Sequence, residues 1–361
     1  MTNPILPRPS THFVLFPALT RHARPWRTIP LAALAILFAF IAAPASAAPS
    51  APTSLRVDDI ANPVGTEAAP YFGWLDNDTN ANEIQSGYEV LVASSSANLD
   101  ADKGDVWDSG KVSSDQENHV VYAGTAIPAD SAYFWKVRTW DREGNPGPYS
   151  TSATFAVGLL ANSDWSGASW IKRNTNIGDD YTYYRKSAPL PAGTVARATV
   201  YVTSVHKYEL YVNGTLVGKG PAYAFPQFQL YNAYDITALI KPGTPNQFAI
   251  FNRWFGGGSG RPPSSRGVLM KAIIHYADGT TAAVATDGTW LQSQATSWVP
   301  GQRKRNGQAG CYIETIDARK LMPTWFMPGF DDSSWTAPTV IGPQPNSTWA
   351  NAPLPDLQRI V

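Results

Sequence analysis

Two adjacent carboxylates, Asp179-Asp180, stand just ahead of a run of aromatic residues, and a second pair, Asp331-Asp332, lies near the far end of the chain. Acidic pairs supply the oxygen ligands that hard cations such as calcium take six to eight at a time. As bare dipeptides, however, both read equally as solvated turns. The setting Phe330-Asp-Asp-Ser-Ser-Trp335 marks the second pair as part of a structural loop. Other chemistry has little support in the sequence. Gly256-Gly-Gly-Ser-Gly260 is followed by Arg261-Pro-Pro, which provides neither the lysine nor the helix start that a phosphate loop needs. Gly-x-Ser-x-Gly and His-Glu-x-x-His are both absent. The single cysteine, Cys311, has Gly310 and Tyr312 as neighbours and no adjacent base to activate it. His206 and His275 sit in or beside strand-like runs without metal-ligand spacing.

The elements that must position any site are β-strands. No stretch beyond the N-terminal region holds a helical period, whereas short alternating runs bounded by Gly, Pro, Asn or Asp recur throughout. Val200 and Val202 alternate with Tyr201 and Thr203, and Tyr208, Leu210 and Val212 with Glu209 and Tyr211. Each run is expected to put one apolar face inward and one polar face outward. Asn213-Gly214 supplies the two left-handed residues of a tight hairpin. Runs at 54–57, 71–75, 88–94, 119–123, 132–140 and 151–157 suit a small sandwich, with Trp74, Tyr88, Tyr133 and Trp135 as core aromatics. The expected fold class is all-β, a fibronectin type III-like sandwich over 49–158 followed by a larger jelly-roll β-sandwich over 159–345, with 346–361 as a linker.

Charge and composition bound the partners. Lys plus Arg and Asp plus Glu are both 28, so no basic excess recommends nucleic acid or an anionic membrane surface. Arg8, Arg21, Arg24 and Arg27, then the apolar run Ile29–Ala43 and Ala45-Ser46-Ala47, match an export signal over residues 1–48. A secreted or periplasmic location is expected, with no membrane attachment after cleavage. One cysteine allows no internal disulfide, so stability must come from packed sheets.

Certain stretches carry a resemblance to a known family. Pro52-x-x-Leu55, Trp74 and Tyr133-Phe-Trp-Lys-Val-Arg-Thr-Trp-Asp141 resemble a fibronectin type III domain, in which Tyr133 would be the corner tyrosine. Trp107-Asp-Ser-Gly-Lys111, Phe155-Ala-Val-Gly-Leu-Leu160, Asp164-Trp165 and Trp170-Ile171 resemble the N-terminal region of bacterial and fungal α-L-rhamnosidases, as does most of the chain from residue 50 onward.

The resemblance implies a jelly roll that binds L-rhamnose in plant or bacterial glycans, in some members through calcium. Asp179 and Asp180 would then be the metal ligands. Trp254 and Tyr223 would stack on the sugar, while Asn252 and Arg261 would take its hydroxyls. In that family the catalytic carboxyls of glycoside hydrolysis belong to a C-terminal toroid of helical hairpins, a pattern that does not occur in these 361 residues. The expectation is therefore a non-catalytic front portion, either a truncated product or the partner of a separately encoded catalytic chain. A secreted adhesion or scaffold protein that uses the same two modules for protein contacts is the alternative.

Overall fold

The computed structural model describes residues 48–77, 84–175, 179–222, 228–256, 266–302, 313–346 and 353–355. All of them lie in one compact unit, Ser46–Val361.

The first domain contains β1 (Ser50–Val57), β2 (Val64–Thr66), β3 (Tyr71–Asn77), β4 (Gly87–Ala93), β5 (Trp107–Asp108), β6 (Val120–Val121), β7 (Ala132–Trp140) and β8 (Ala153–Val157). They form two sheets, β1-β3-β6 and β2-β8-β7-β4-β5. Phe72 and Trp74 from one sheet meet Val90, Val92, Trp135 and Phe155 from the other in a dry core. Burial accounts for the aromatic content here. Trp74, Tyr88, Tyr133 and Trp135 are all buried in this core. Tyr133 packs on Phe155 with ring centres 5.4 Å apart. The hydroxyl that ties a turn in this domain is that of Tyr122, which donates to the Thr125 carbonyl at 2.6 Å. In the Trp107-Asp-Ser-Gly110 stretch, the Asp108 side chain accepts from the Gly110 amide at 2.8 Å and Gly110 takes φ +57°. The motif is an Asx turn leaving an edge strand.

The second domain contains β9 (Ser169–Lys172), β10 (Asp180–Pro189), β11 (Val195–Ser204), β12 (Lys207–Val212), β13 (Thr215–Gly220), β14 (Leu230–Asp235), β15 (Pro245–Trp254), β16 (Val268–Tyr276), β17 (Thr281–Ala285), β18 (Leu291–Gln294), β19 (Thr339–Pro343) and β20 (Leu354–Pro355). One sheet runs β13-β12-β15-β10-β18; the other runs β19-β9-β16-β11-β14-β20, with β17 beside β16. The core lies between them. Tyr184, Tyr208, Leu210, Phe248 and Ile250 from the first sheet face Val200, Val202, Met270, Ala272 and Ile274 from the second.

The Asn213-Gly214 hairpin forms as expected, with φ +49° and +87° joining β12 to β13. Glycine suits 214 because L side chains rarely adopt its φ; an added Cβ would also lie 2.6 Å from the Met327 sulfur, a contact that flexible side chain can relieve. The expected outward polar face of β11 does not exist. Tyr201 and Thr203 are as buried as Val200 and Val202. The outer side of β11 is covered by a second apolar layer containing Trp165, Tyr231 and Leu269. Beyond β11, β12 crosses to the opposite sheet, so the two runs are not paired neighbours.

The domains meet at close quarters. Gly158 at the junction sits against Tyr231, where any Cβ would fall 2.0 Å from the hydroxyl oxygen, and Gly65 of β2 sits against Ala233 of β14. That hydroxyl donates to the Leu159 carbonyl at 3.2 Å. Asp130 of the first domain is bonded by three side chains of the second.

Candidate functional site

Strand alternation decides which residues can share a site. Along β15, Ile250, Asn252 and Trp254 share one side and Phe251 and Arg253 the other, since Ile250 belongs to the inter-sheet core and Phe251 to an outer aromatic cluster. The expected sugar contacts Asn252 and Trp254 are therefore on the core side. Asn252 is 3% exposed, and its amide donates to the carbonyls of Val205 (3.3 Å) and Lys207 (2.9 Å). It fastens the turn at His206, where φ is +75°. Trp254 is engaged by the Arg266 guanidinium, 4.2 Å from its ring centre, and lies near-parallel to the His206 ring at 6.3 Å. A residue that holds backbone and an indole already carrying a cation are parts of the scaffold, not of an open sugar platform. Arg261 and Tyr223 fall outside the described residues.

The acidic pair also separates. Asp180 is 3% exposed, and its carboxylate accepts from Arg173, from Arg266 at 3.0 Å and from the Thr182 hydroxyl at 3.0 Å. Asp179 is 1% exposed, and among the described residues neither of its oxygens has a hydrogen-bond partner. Burial pushes the Asp179 carboxyl up to about 6; Arg253 pulls it down and the charge on Asp180 adds to the rise. A calcium shell needs carboxylate oxygens converging on one point. With one carboxylate consumed by two guanidiniums and the other beside a third, the pair does not fit that role. Among the described residues no group of three or more His, Cys, Asp or Glu is arranged to hold a metal ion. Asp332 of the second pair is a structural partner, accepting from Arg185 Nε at 2.8 Å.

One concave feature lies on the opposite side of β15 from Asn252. Lys207, Glu209, Phe251, Arg253, Trp298 and Glu314 surround a cleft of about 220 Å³ on the outer face of the five-stranded sheet. Its floor is aromatic. Phe251 and Trp298 line it with ring centres 5.3 Å apart, and the buried Tyr181 backs Trp298 at 5.2 Å and 15°. Its rim is charged. Lys219 Nζ meets Glu209 at 2.5 Å, and Arg253 pairs with Glu314 while lying 4.3 Å over Phe255. Glu209 also accepts from the Tyr211 hydroxyl at 2.8 Å, which, after burial, helps push that phenol above its ordinary range.

A second hollow of about 160 Å³ adjoins the first, with Tyr183, Tyr211, Trp325 and Phe326 in its lining. Trp325 stacks on Tyr183 at 4.2 Å and Phe326 on Tyr211 at 4.5 Å. Arg185 holds this wall to the sheet. It is 2% exposed and donates to the carbonyls of Trp325 and Met327, to Asp332 and to Gln247.

Aromatic faces with charged hydrogen-bonding groups around them are the chemistry of sugar recognition, because the ring C–H face is apolar and its hydroxyls are not. Sequence reasoning missed Tyr181, Phe251, Arg253 and Trp298. The available signal was the alternation of aromatic and charged residues along the odd-numbered positions 181, 183, 251 and 253.

Comparison with known proteins agrees with this architecture. Residues 52–161 match the Rha78A-like N-terminal immunoglobulin domain, and residues 193–357 match the alpha-L-rhamnosidase N-terminal domain. The chain thus carries, in order, the two N-terminal domains that these family models describe. It is 31% identical over 338 residues to an alpha-L-rhamnosidase of Formosa agariphila, covering 80% of this chain and 34% of that protein. It is also 31% identical over 336 residues to one of an Alteromonas species, covering 86% and 35%. Among solved structures, the alpha-L-rhamnosidase from Dictyoglumus thermophilum superimposes with a TM-score of 0.72 at 26% identity, covering 81% of this chain and 34% of that one. The chain thus spans about a third of the length of these relatives.

Proposed function

We propose that this chain is the glycan-binding front region of an exported α-L-rhamnosidase-type protein, and that the outer-sheet cleft is where it holds rhamnose-containing glycans. The observation that carries the reading is the cleft itself: Trp298 and Phe251 framed by Arg253, Glu209 and two lysines, on a sheet whose other face is sealed core. Rhamnose presents a methyl group and C–H faces to aromatic rings and hydroxyls to charged groups, so the two kinds of lining have matching counterparts on the ligand. The match to the alpha-L-rhamnosidase N-terminal domain supports the choice of sugar. Export is read from the N-terminal basic and apolar segments of the sequence.

Binding is tested by passing the purified chain over immobilised rhamnose and over a non-rhamnose sugar, with and without a chelator. Selective retention on rhamnose that survives chelation is the expected result, and Trp298→Ala should lower it tenfold or more, the cost of losing an aromatic anchor. Equal passage through both columns refutes sugar binding, whereas retention abolished by chelation restores a metal to the site. The same protein should release no rhamnose from an aryl rhamnoside.

A further inference from the structure

The two hollows on the outer sheet share Glu209, Phe251 and Trp298, so they are two halves of one groove. Each alone, at about 220 and 160 Å³, is smaller than the ~300–1,000 Å³ of an ordinary small-molecule site; together they reach that range. The groove follows β12 from Lys207, which pairs with Arg253, to Tyr211, which pairs with Ala249. Four residues at ~3.3 Å each make that distance about 13 Å, longer than a single pyranose ring.

Its ends differ in chemistry. At the Lys207 end both carboxylates are already matched, Glu209 by Lys219 and Glu314 by Arg253, and the rim is a ring of charged hydrogen-bonding groups. At the Tyr211 end the lining is carbon: Met322, Pro323, Trp325 and Phe326. The carbon wall is pre-positioned, because Arg185 ties the Trp325 and Met327 carbonyls to β10 and the Tyr183–Trp325 and Tyr211–Phe326 stacks fix the rings. A groove organised in advance at both ends loses little entropy when a long ligand settles along it.

From this geometry we infer that the groove takes an extended stretch of glycan, at least two consecutive sugar residues, with a hydroxyl-rich residue at the Lys207–Arg253 end and a deoxysugar face against Trp325 and Phe326. The inference rests on the sugar-binding reading above and goes further by assigning the ligand as an oligosaccharide and not a terminal monosaccharide.

Titration calorimetry of the full chain with L-rhamnose and with rhamnose-containing di-, tri- and tetrasaccharides tests it. Affinity should rise at least tenfold from the monosaccharide to the first ligand that reaches both ends, then level off. Lys207→Ala at one end and Phe326→Ala at the other should each remove most of that gain, and Phe326→Ala, which takes away the face set against the deoxysugar, should weaken L-rhamnose itself as well. Lys207 is an exposed strand residue, so its variant keeps the test valid even where the aromatic one perturbs folding. Equal affinity for mono- and oligosaccharides, or a length gain that both variants retain, overturns the inference and leaves sugar binding standing. No binding by any of the ligands removes both.

Discussion

The Asp130 carboxylate of the first domain accepts from the Tyr201 hydroxyl of the second at 2.6 Å. The same side chain accepts from Arg197 Nη1 at 3.0 Å and lies 2.7 Å from His275 Nε2, while its backbone carbonyl accepts from Arg197 Nη2 at 2.6 Å. One residue of a loop in positive-φ conformation thus gathers three side chains from β11 and β16, and together with the glycine contacts at Gly65 and Gly158 it makes the two sandwiches one body. A groove formed by the second domain is then held at a set angle to the first.

Asp130→Ala should cost about 2–4 kcal/mol, since it strands a half-buried guanidinium and a buried phenol. The Asp130 carboxyl is raised by burial and lowered more strongly by the bonds from His275, Tyr201 and Arg197, leaving it below its ordinary value. A depressed native value means the stabilisation is fully present above the ordinary carboxylate value of ~3.9 and is lost as pH falls through the lower native one. Calorimetric scans of wild type and variant should therefore differ at pH 7 and converge only in strong acid. A variant whose deficit had already vanished at pH 5 would contradict this.

Asp179→Asn should act with the opposite sign. Its carboxyl is held at about 6 in the folded chain, mainly by burial, against ~3.9 when unfolded. Between those values the folded state binds more protons, so the wild type loses stability as pH rises through the window. Urea melts at pH 7.5 should show the variant more stable by about 1–2 kcal/mol, a figure reduced from the full linkage value because solvent and nearby charges screen the group. At pH 4 the difference should close. A destabilised variant at pH 7.5 would mean that the ionised carboxylate has a partner it needs.

Arg185→Met should release the groove wall. Arg185 carries hydrogen bonds to two backbone carbonyls, to Asp332 and to Gln247, and its guanidinium lies 5.0 Å over the Phe330 ring. Removing it leaves buried acceptors unsatisfied at a cost of about 3–5 kcal/mol. The near-ultraviolet dichroism of the Tyr183–Trp325 and Tyr211–Phe326 stacks should weaken, and far-ultraviolet strand content should persist. An unchanged aromatic spectrum would show that the segment is held by ring packing alone.

Much of this architecture is legible in the residues themselves. Alternation without helical period specifies strands, Asn213-Gly214 specifies a hairpin because its φ values suit few other pairs, and the spacing of Trp74, Tyr88 and Trp135 specifies a sandwich core. Family signatures at Trp107–Lys111 and at Phe155–Leu160 are equally local. These features depend on neighbours in the chain, and local sterics and period-two burial are written in local sequence.

The site is a different matter. Glu209, Phe251, Trp298 and Trp325 lie far apart in the chain and meet only when β12, β15 and the segments after β18 pack on one face. Alternation shows that Asn252 and Arg253 point opposite ways, but when both faces of a strand are largely buried it cannot show which one opens to solvent. The same ambiguity made Asp179 and Asp180 look like a pair, although folding gives one to Arg173 and Arg266 and leaves the other beside Arg253. Composition and period therefore determined that this protein is two β-sandwiches. Which side chains converge on the outer sheet was decided by long-range strand pairing, whose partners are set by the burial of whole sheets and not by any adjacent residue.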